Sequence, residues 1–174
     1  MGFGLIEEVR PKLRLLLSGT IRSNPRKPLP ERLLEIGQGL KRVLAETRPD
    51  AVAIEQAFYG RNVASLIAMG EGRGVALYVV IGLGLRIHEY APAEIKQAVT
   101  GKGAARKEQV AEMVQHLLGV EQIEGGLDAS DALATAICHS QRRQLPALAG
   151  GALDGMIHRS HKSRSRRVRR GRSR

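Results

Sequence analysis

The sequence predicts a mixed α/β layer architecture, and three observations predict it. Two β-like runs at the start are divided by a short charged turn, as in a hairpin. Two later apolar runs of strand length alternate with long stretches of helical period. Hydrophobic residues make up 43% of the 174 residues and aromatics only 3%, so the core must be aliphatic. The length suits one domain of ordinary size.

Gly2 to Val9 and Leu13 to Ser23 are both β-like, and the charged turn with Pro11 between them reads as a hairpin connection. Pro25, Pro28 and Pro30 break the chain. Leu33, Gly37, Leu40 and Leu44 recur at helical spacing, so 30–47 is expected to be a helix with one face on a sheet. Pro49 and Asp50 end it, and Asp50 to Glu55 reads as a short buried strand that terminates in a charge. Residues 61–82 read as a long helix of small and apolar residues, with glycines at 70, 72 and 74. Leu85 to Tyr90 is a further strand. Pro92 opens a short helix ending near Thr100, and Gly101 to Lys107 is a basic loop. Helices follow at about 106–118 and 129–142, and no internal repeat is present.

The net charge of +11 and pI near 10.6 point to a polyanionic partner. The charge is unevenly placed. Residues 158–174 hold nine Lys/Arg and no acid, and the rest of the chain has 19 basic against 17 acidic residues. Nucleic-acid binding by the domain must therefore rest on placement rather than bulk charge. The expected division is a domain over 1–145 and a Gly/Ala linker with a disordered basic tail over 146–174. That tail can bind nucleic-acid phosphates without sequence choice. The single cysteine, Cys138, excludes an internal disulfide and a Cys-based zinc site, and suits a reducing cytoplasm. No signal-peptide pattern opens the chain, and the weakly polar run from Val75 to Leu85 is too short to span a bilayer, so no membrane is expected.

Three acids stand beside apolar residues. Glu55 ends the run Ala-Val-Ala-Ile-Glu, and strand alternation puts it on the face of Ala51 and Ala53, where small neighbours leave room. Asp128 and Asp131 lie three apart in Leu-Asp-Ala-Ser-Asp-Ala-Leu-Ala, on one face of a helix's first turn. Together the three make a plausible oxygen cage for Mg2+, and two such ions can hold the attacking and leaving oxygens of a phosphodiester displacement. Each acid also has a second reading. Asp128 can be an N-cap with Asp131 as the acid of a capping-box-like turn, and Glu55 can be an exposed strand end.

Phe58 and Tyr59 follow Glu55 and are two of only five aromatics. They can stack on an unpaired base or pack under their loop. Lys96, Lys102, Arg106 and Lys107 surround a Gly-rich loop leading into a helix N-terminus, which can hold a phosphate or be a solvated charge run. It lacks the spacing of a nucleotide-binding P-loop. Gly70, Gly72 and Gly74 sit mid-helix, where close helix packing is expected rather than a dinucleotide loop. His88 and His116 are expected to face solvent, and Cys138 to be a core residue.

Several ordered blocks carry a resemblance. Ala53 to Asn62 (Ala-Ile-Glu-Gln-Ala-Phe-Tyr-Gly-Arg-Asn) resembles the second catalytic motif of the RuvC family of Holliday-junction resolvases. Glu71-Gly-Arg-Gly-Val-Ala76 resembles the following helix of that family. Tyr90 to Gly101 and Gly103 to Val110 resemble its third block, and Asp128 to Ala134 its final metal-binding helix. The match runs in order over about residues 2–142. It implies a ribonuclease H-like mixed sheet flanked by helices and a homodimer built on the long helix. It also implies paired nicking of opposing strands at a four-way DNA junction with Mg2+, for which Mn2+ can substitute. By the same resemblance Glu55, Asp128 and Asp131 are metal-binding acids, and Phe58 engages junction bases. Arg61, Lys96 and Lys107 are DNA-contacting residues, Lys107 also supporting catalysis. A branch-migration helicase complex is the further partner implied.

The family opens with a strand reading roughly Leu-Gly-Ile-Asp-Pro-Gly whose Asp is the first ligand. Here Met1 to Ile6 resembles the second strand, so that central strand and its acid are absent from this chain. A misassigned start is the expected cause. Three hypotheses follow: an active junction endonuclease, a branched-DNA-binding dimer that does not cut, and a poorly folding fragment with a nonspecific basic tail.

Overall fold

Alternating side chains at the start of the chain fold as an antiparallel hairpin. In the computed structural model, which describes residues 1–9, 11–56 and 63–143, strand β1 (Gly2–Val9) pairs with β2 (Lys12–Thr20). Leu5 pairs with Leu17 and Ile6 with Leu15, so Leu16 is the extra residue of a bulge. The Ile21 amide donates to the Met1 carbonyl at 2.8 Å, and β2 stops short of the expected Ser23.

Helix α1 (Leu29–Thr47) starts behind Pro28 and buries Gly37, Leu40 and Leu44 on one stripe. It ends at Arg48, whose amide reaches the Leu44 carbonyl at 2.9 Å with φ of 45°. Left-handed backbone at a non-glycine residue costs about 1–2 kcal/mol, and Pro49 next in line prevents the helix from continuing.

Strand β3 (Ala51–Glu55) runs parallel to β4 (Arg86–Tyr90), with Ala53 opposite His88 and Glu55 opposite Tyr90. Parallel neighbours need a crossover, and α2 (Val63–Gly82) is the helix in it. The sequence suggested a buried β3. Its first four residues are instead half-buried and Glu55 is exposed, and among the described residues only one of the strand's edges is paired. The hairpin and the β3–β4 pair form two separate two-stranded ladders among the described residues.

Helix α3 (Pro92–Thr100) begins at Pro92, and Glu94 Oε2 accepts from the Ala91 amide at 2.9 Å. Gln109 does the same for Arg106 at the start of α4 (Lys107–Leu118), again at 2.9 Å. These are the back-reaching halves of capping boxes. The last described helix, α5, covers 126–143.

Two aliphatic clusters give the layers. On one side of the strands, Leu40 and Leu44 of α1 and Ala76 and Val80 of α2 pack with Phe3, Val52 and Ile87. On the other, α3, α4 and α5 contribute Ile95, Val114, Leu133, Ile137 and Cys138, packed with Ile6, Leu15 and Tyr90. Cys138 is thus the core residue expected. Both clusters belong to the compact unit Met1–Ser140. The expected linker and tail, 146–174, lie outside the described residues. Among the described residues no helix is long and apolar enough to cross a membrane.

Candidate active site at the ends of β3 and α5

Helix α5 rests on β1 where β1 carries glycines. A Cβ on Gly2 would lie 2.0 Å from the Asp128 carbonyl oxygen, and one on Gly4 would lie 2.4 Å from the Leu133 side chain. This close approach puts the first turns of α5, with Asp128 and Asp131, over the strands. The helix begins at 126, ahead of the expected 129. Asp128 therefore lies inside the helix, and the N-cap reading of it is overturned.

Alternation places Ala51, Ala53 and Glu55 on the α5 face of β3, since Val52 packs on the opposite cluster. Desolvation, then the negative charge of Asp131, raises the Glu55 carboxyl above its ordinary pKa, while Lys107 and Lys96 pull it back. Asp131, half-buried, accepts a hydrogen bond from Lys107 Nζ at 2.9 Å. That bond and the Asp131 charge hold the Lys107 ammonium above its usual range, with Asp128 and Glu55 adding. Glu55, Asp128, Asp131, Lys96 and Lys107 thus form one electrostatic neighbourhood, drawn from β3, α5, α3 and α4. Among the described residues no three Asp, Glu, His or Cys side chains stand close enough together to grip one ion. Asp131 is held by the Lys107 ammonium instead.

The room beside the alanines is partly filled. His88, level with Ala53, stacks on His139 of α5 with ring centroids 4.3 Å apart. The Tyr90 hydroxyl meets His139 Nδ1 at 2.8 Å. His88 is therefore half-buried against a ring rather than facing solvent as expected, because α5 covers this face of β4. His116 is exposed. A Cβ on Gly70, Gly72 or Gly74 would touch nothing among the described residues, so the expected close packing of these glycines is not made there. Phe58, Tyr59 and Arg61 lie outside the described residues. Lys102 and Arg106 are exposed in the loop before α4.

Sequence reasoning gave no role to Arg73, Tyr90 or His139. Arg73 donates to the Glu55 main-chain carbonyl at 2.5 Å and pairs with Glu89 at 2.7 Å. The available signal was an arginine in step with the buried Ala76 and Val80 of the same helix.

Residues 1–139 match the family model described as crossover junction endodeoxyribonuclease RuvC. The chain is 50% identical over 141 residues to the crossover junction endodeoxyribonuclease RuvC of Chlorobaculum parvum, covering 81% of this chain and 75% of that one. It is 44% identical over 140 residues to the protein of the same name from Chloroflexus aurantiacus, covering 80% and 85% of the two. Among solved structures, Thermus thermophilus RuvC matches with a TM-score of 0.72 at 32% identity, over 83% of this chain and 87% of that one. The T. thermophilus RuvC in complex with Holliday junction substrate matches with the same TM-score at 30% identity, again over 83% and 87% of the two chains. The chain is a member of the RuvC family, with that family's α/β, ribonuclease H-like fold.

Proposed function

We propose that this chain is a structure-selective endonuclease that resolves four-way DNA junctions by Mg2+-dependent hydrolysis of paired phosphodiesters. One observation carries the reading: Glu55, Asp128 and Asp131 share one electrostatic neighbourhood with Lys96 and Lys107, drawn from four separate elements, with Lys107 bonded to Asp131. The donor set suits a hard dication. It offers carboxylate oxygens, one of them partly desolvated and repelled by another, so added positive charge is favourable there.

Glu55, Asp131 and Asp128 would hold the ion, which when bound would polarise the phosphodiester and neutralise charge developing on it. The Lys107 ammonium holds the Asp131 carboxylate by a hydrogen bond at 2.9 Å. Lys96 and Lys107 supply positive charge beside Glu55, where a DNA phosphate has to approach. Phe58 and Arg61 are proposed to engage bases and backbone at the junction centre.

Paired cutting of opposing strands requires two sites, and a second copy of this chain is the proposed source. The exposed Ile67, Met69, Tyr78 and Ile81 of α2 support a homodimer, since a monomer rarely shows water so much apolar surface. The proposed setting is the cytoplasm, with a branch-migration helicase complex as a further partner.

A second reading, a junction-binding dimer that does not cut, is favoured by a different observation. Asp131 is held by an ammonium, and the acids do not form a ligating cluster among the described residues. The deciding experiment incubates the protein with a synthetic four-way junction and Mg2+, beside Glu55→Gln and Asp131→Asn. Symmetric nicks that vanish in both variants support the nuclease. A gel shift without nicks supports the binding module, and unaltered cutting in both variants removes the site assignment.

A further inference from the structure

We infer that Arg73 is a positioning residue that clamps the end of β3 and so fixes where the Glu55 carboxylate points. The inference rests on the reading of Glu55 as a metal ligand.

Arg73 lies three residues before Ala76 and seven before Val80, both buried, so it sits on the core-facing side of α2. An arginine there is desolvated, and its side chain is only 18% exposed. Such a group persists when its donors are used, and both ends of this fork are used. Nη2 meets Glu89 Oε1 of β4 at 2.7 Å, and Nη1 donates to the main-chain carbonyl of Glu55 at 2.5 Å.

That carbonyl has a special position. The Gln56 amide donates to the Tyr90 carbonyl at 2.8 Å, so it points toward β4. In a planar trans peptide the C=O opposes the N–H of the same unit. The Glu55 carbonyl therefore points away from β4, toward the strand edge that has no ladder partner among the described residues. Arg73 satisfies it. The peptide leaving Glu55 is thus held on one side by the β4 ladder and on the other by the guanidinium. With both held, the Cα–Cβ bond of Glu55 faces α5, where Asp131 and Lys107 stand. Strand ends fray when one side is free, and a carboxylate that swings binds a dication less well.

Arg73→Lys keeps the charge beside Glu89 but cannot fork to the carbonyl as well. Glu89→Gln keeps the carbonyl contact and removes the ion pair. Three quantities are measured on wild type and both variants: exchange of the Gln56 amide by NMR, Mn2+ affinity by electron spin resonance, and four-way-junction binding by gel shift. Arg73→Lys is expected to speed Gln56 exchange about tenfold or more and to weaken Mn2+ binding about 10-fold, the lower end of losses for groups behind a metal ligand. Junction binding and Tm stay near wild type, and Glu89→Gln stays within about twofold on Mn2+, well below that loss. Equal losses in both variants, in step with Tm, would reduce Arg73 to a structural ion pair. Weakened junction binding with unchanged Mn2+ affinity would make it a DNA contact. Either result overturns the inference, as does wild-type exchange and Mn2+ affinity in Arg73→Lys. A wild-type chain that binds no Mn2+ overturns the ligand reading itself and with it Arg73's role in holding a ligand. Gln56 exchange in Arg73→Lys still shows separately whether the strand is clamped.

Discussion

Glu55 is a carboxyl whose ionised form the fold disfavours, first by desolvation and then by Asp131. Its folded pKa lies above the ordinary 4.5, so the native state holds the proton more tightly than the unfolded chain does. Stability is therefore lost as pH rises from below 4.5 through the folded value. Glu55→Gln should melt above wild type at neutral pH, with the gap closing in acid, while junction cutting falls by about 100-fold or more. A thermal melt at several pH values checks the first half, and a cleavage time course the second. Lys107 behaves differently. Its side chain is 63% exposed, so its ion pair with Asp131 contributes at most about 1 kcal/mol. Lys107→Met should leave the melting temperature almost unchanged yet slow cutting about 10–100-fold, as for groups that orient a ligand.

At the scale of elements, the site depends on how closely α5 lies on β1. Gly4→Val drives a side chain into Leu133 and should cost about 1–3 kcal/mol by overpacking. At roughly 2–4 °C per kcal/mol for a chain of this size, a thermal melt resolves the loss. Cutting should fall further than stability accounts for, because the same shift moves Asp128 and Asp131. The order of elements was readable from periodicity, since the Leu40 and Leu44 stripe and the Ala51–Glu55 alternation are local patterns. The acids were readable as candidates, but not their shared neighbourhood, which depends on Gly2 and Gly4 admitting a helix more than 120 residues later in the chain. Arg73 escaped notice for a related reason: nothing local distinguishes an arginine that clamps a strand from one in water. The stack of His88 on His139 likewise depends on α5 crossing β4, a contact set by tertiary structure alone.

Among the described residues, the unit Met1–Ser140 is two ladders held together by helices on both faces. Each ladder presents edges without a strand partner among the described residues, and such edges are reactive toward other strands. The other exposed feature is the apolar side of α2, where Tyr78 is 81% exposed. If that face joins two copies, Tyr78→Asp with Ile81→Asp should sediment as a monomer while wild type sediments as a dimer. The monomer should lose paired nicking, although each site is intact. A wild type that sediments as a monomer at micromolar concentration would remove the dimer.

The measurement closest to the central claim is a Mg2+ titration of cutting on an end-labelled four-way junction, with linear duplex of the same sequence alongside. Metal-dependent nicks at symmetric positions on the junction, absent from the duplex and from Glu55→Gln, are the predicted result. Cutting that persists in excess chelator, or that treats junction and duplex alike, would contradict it.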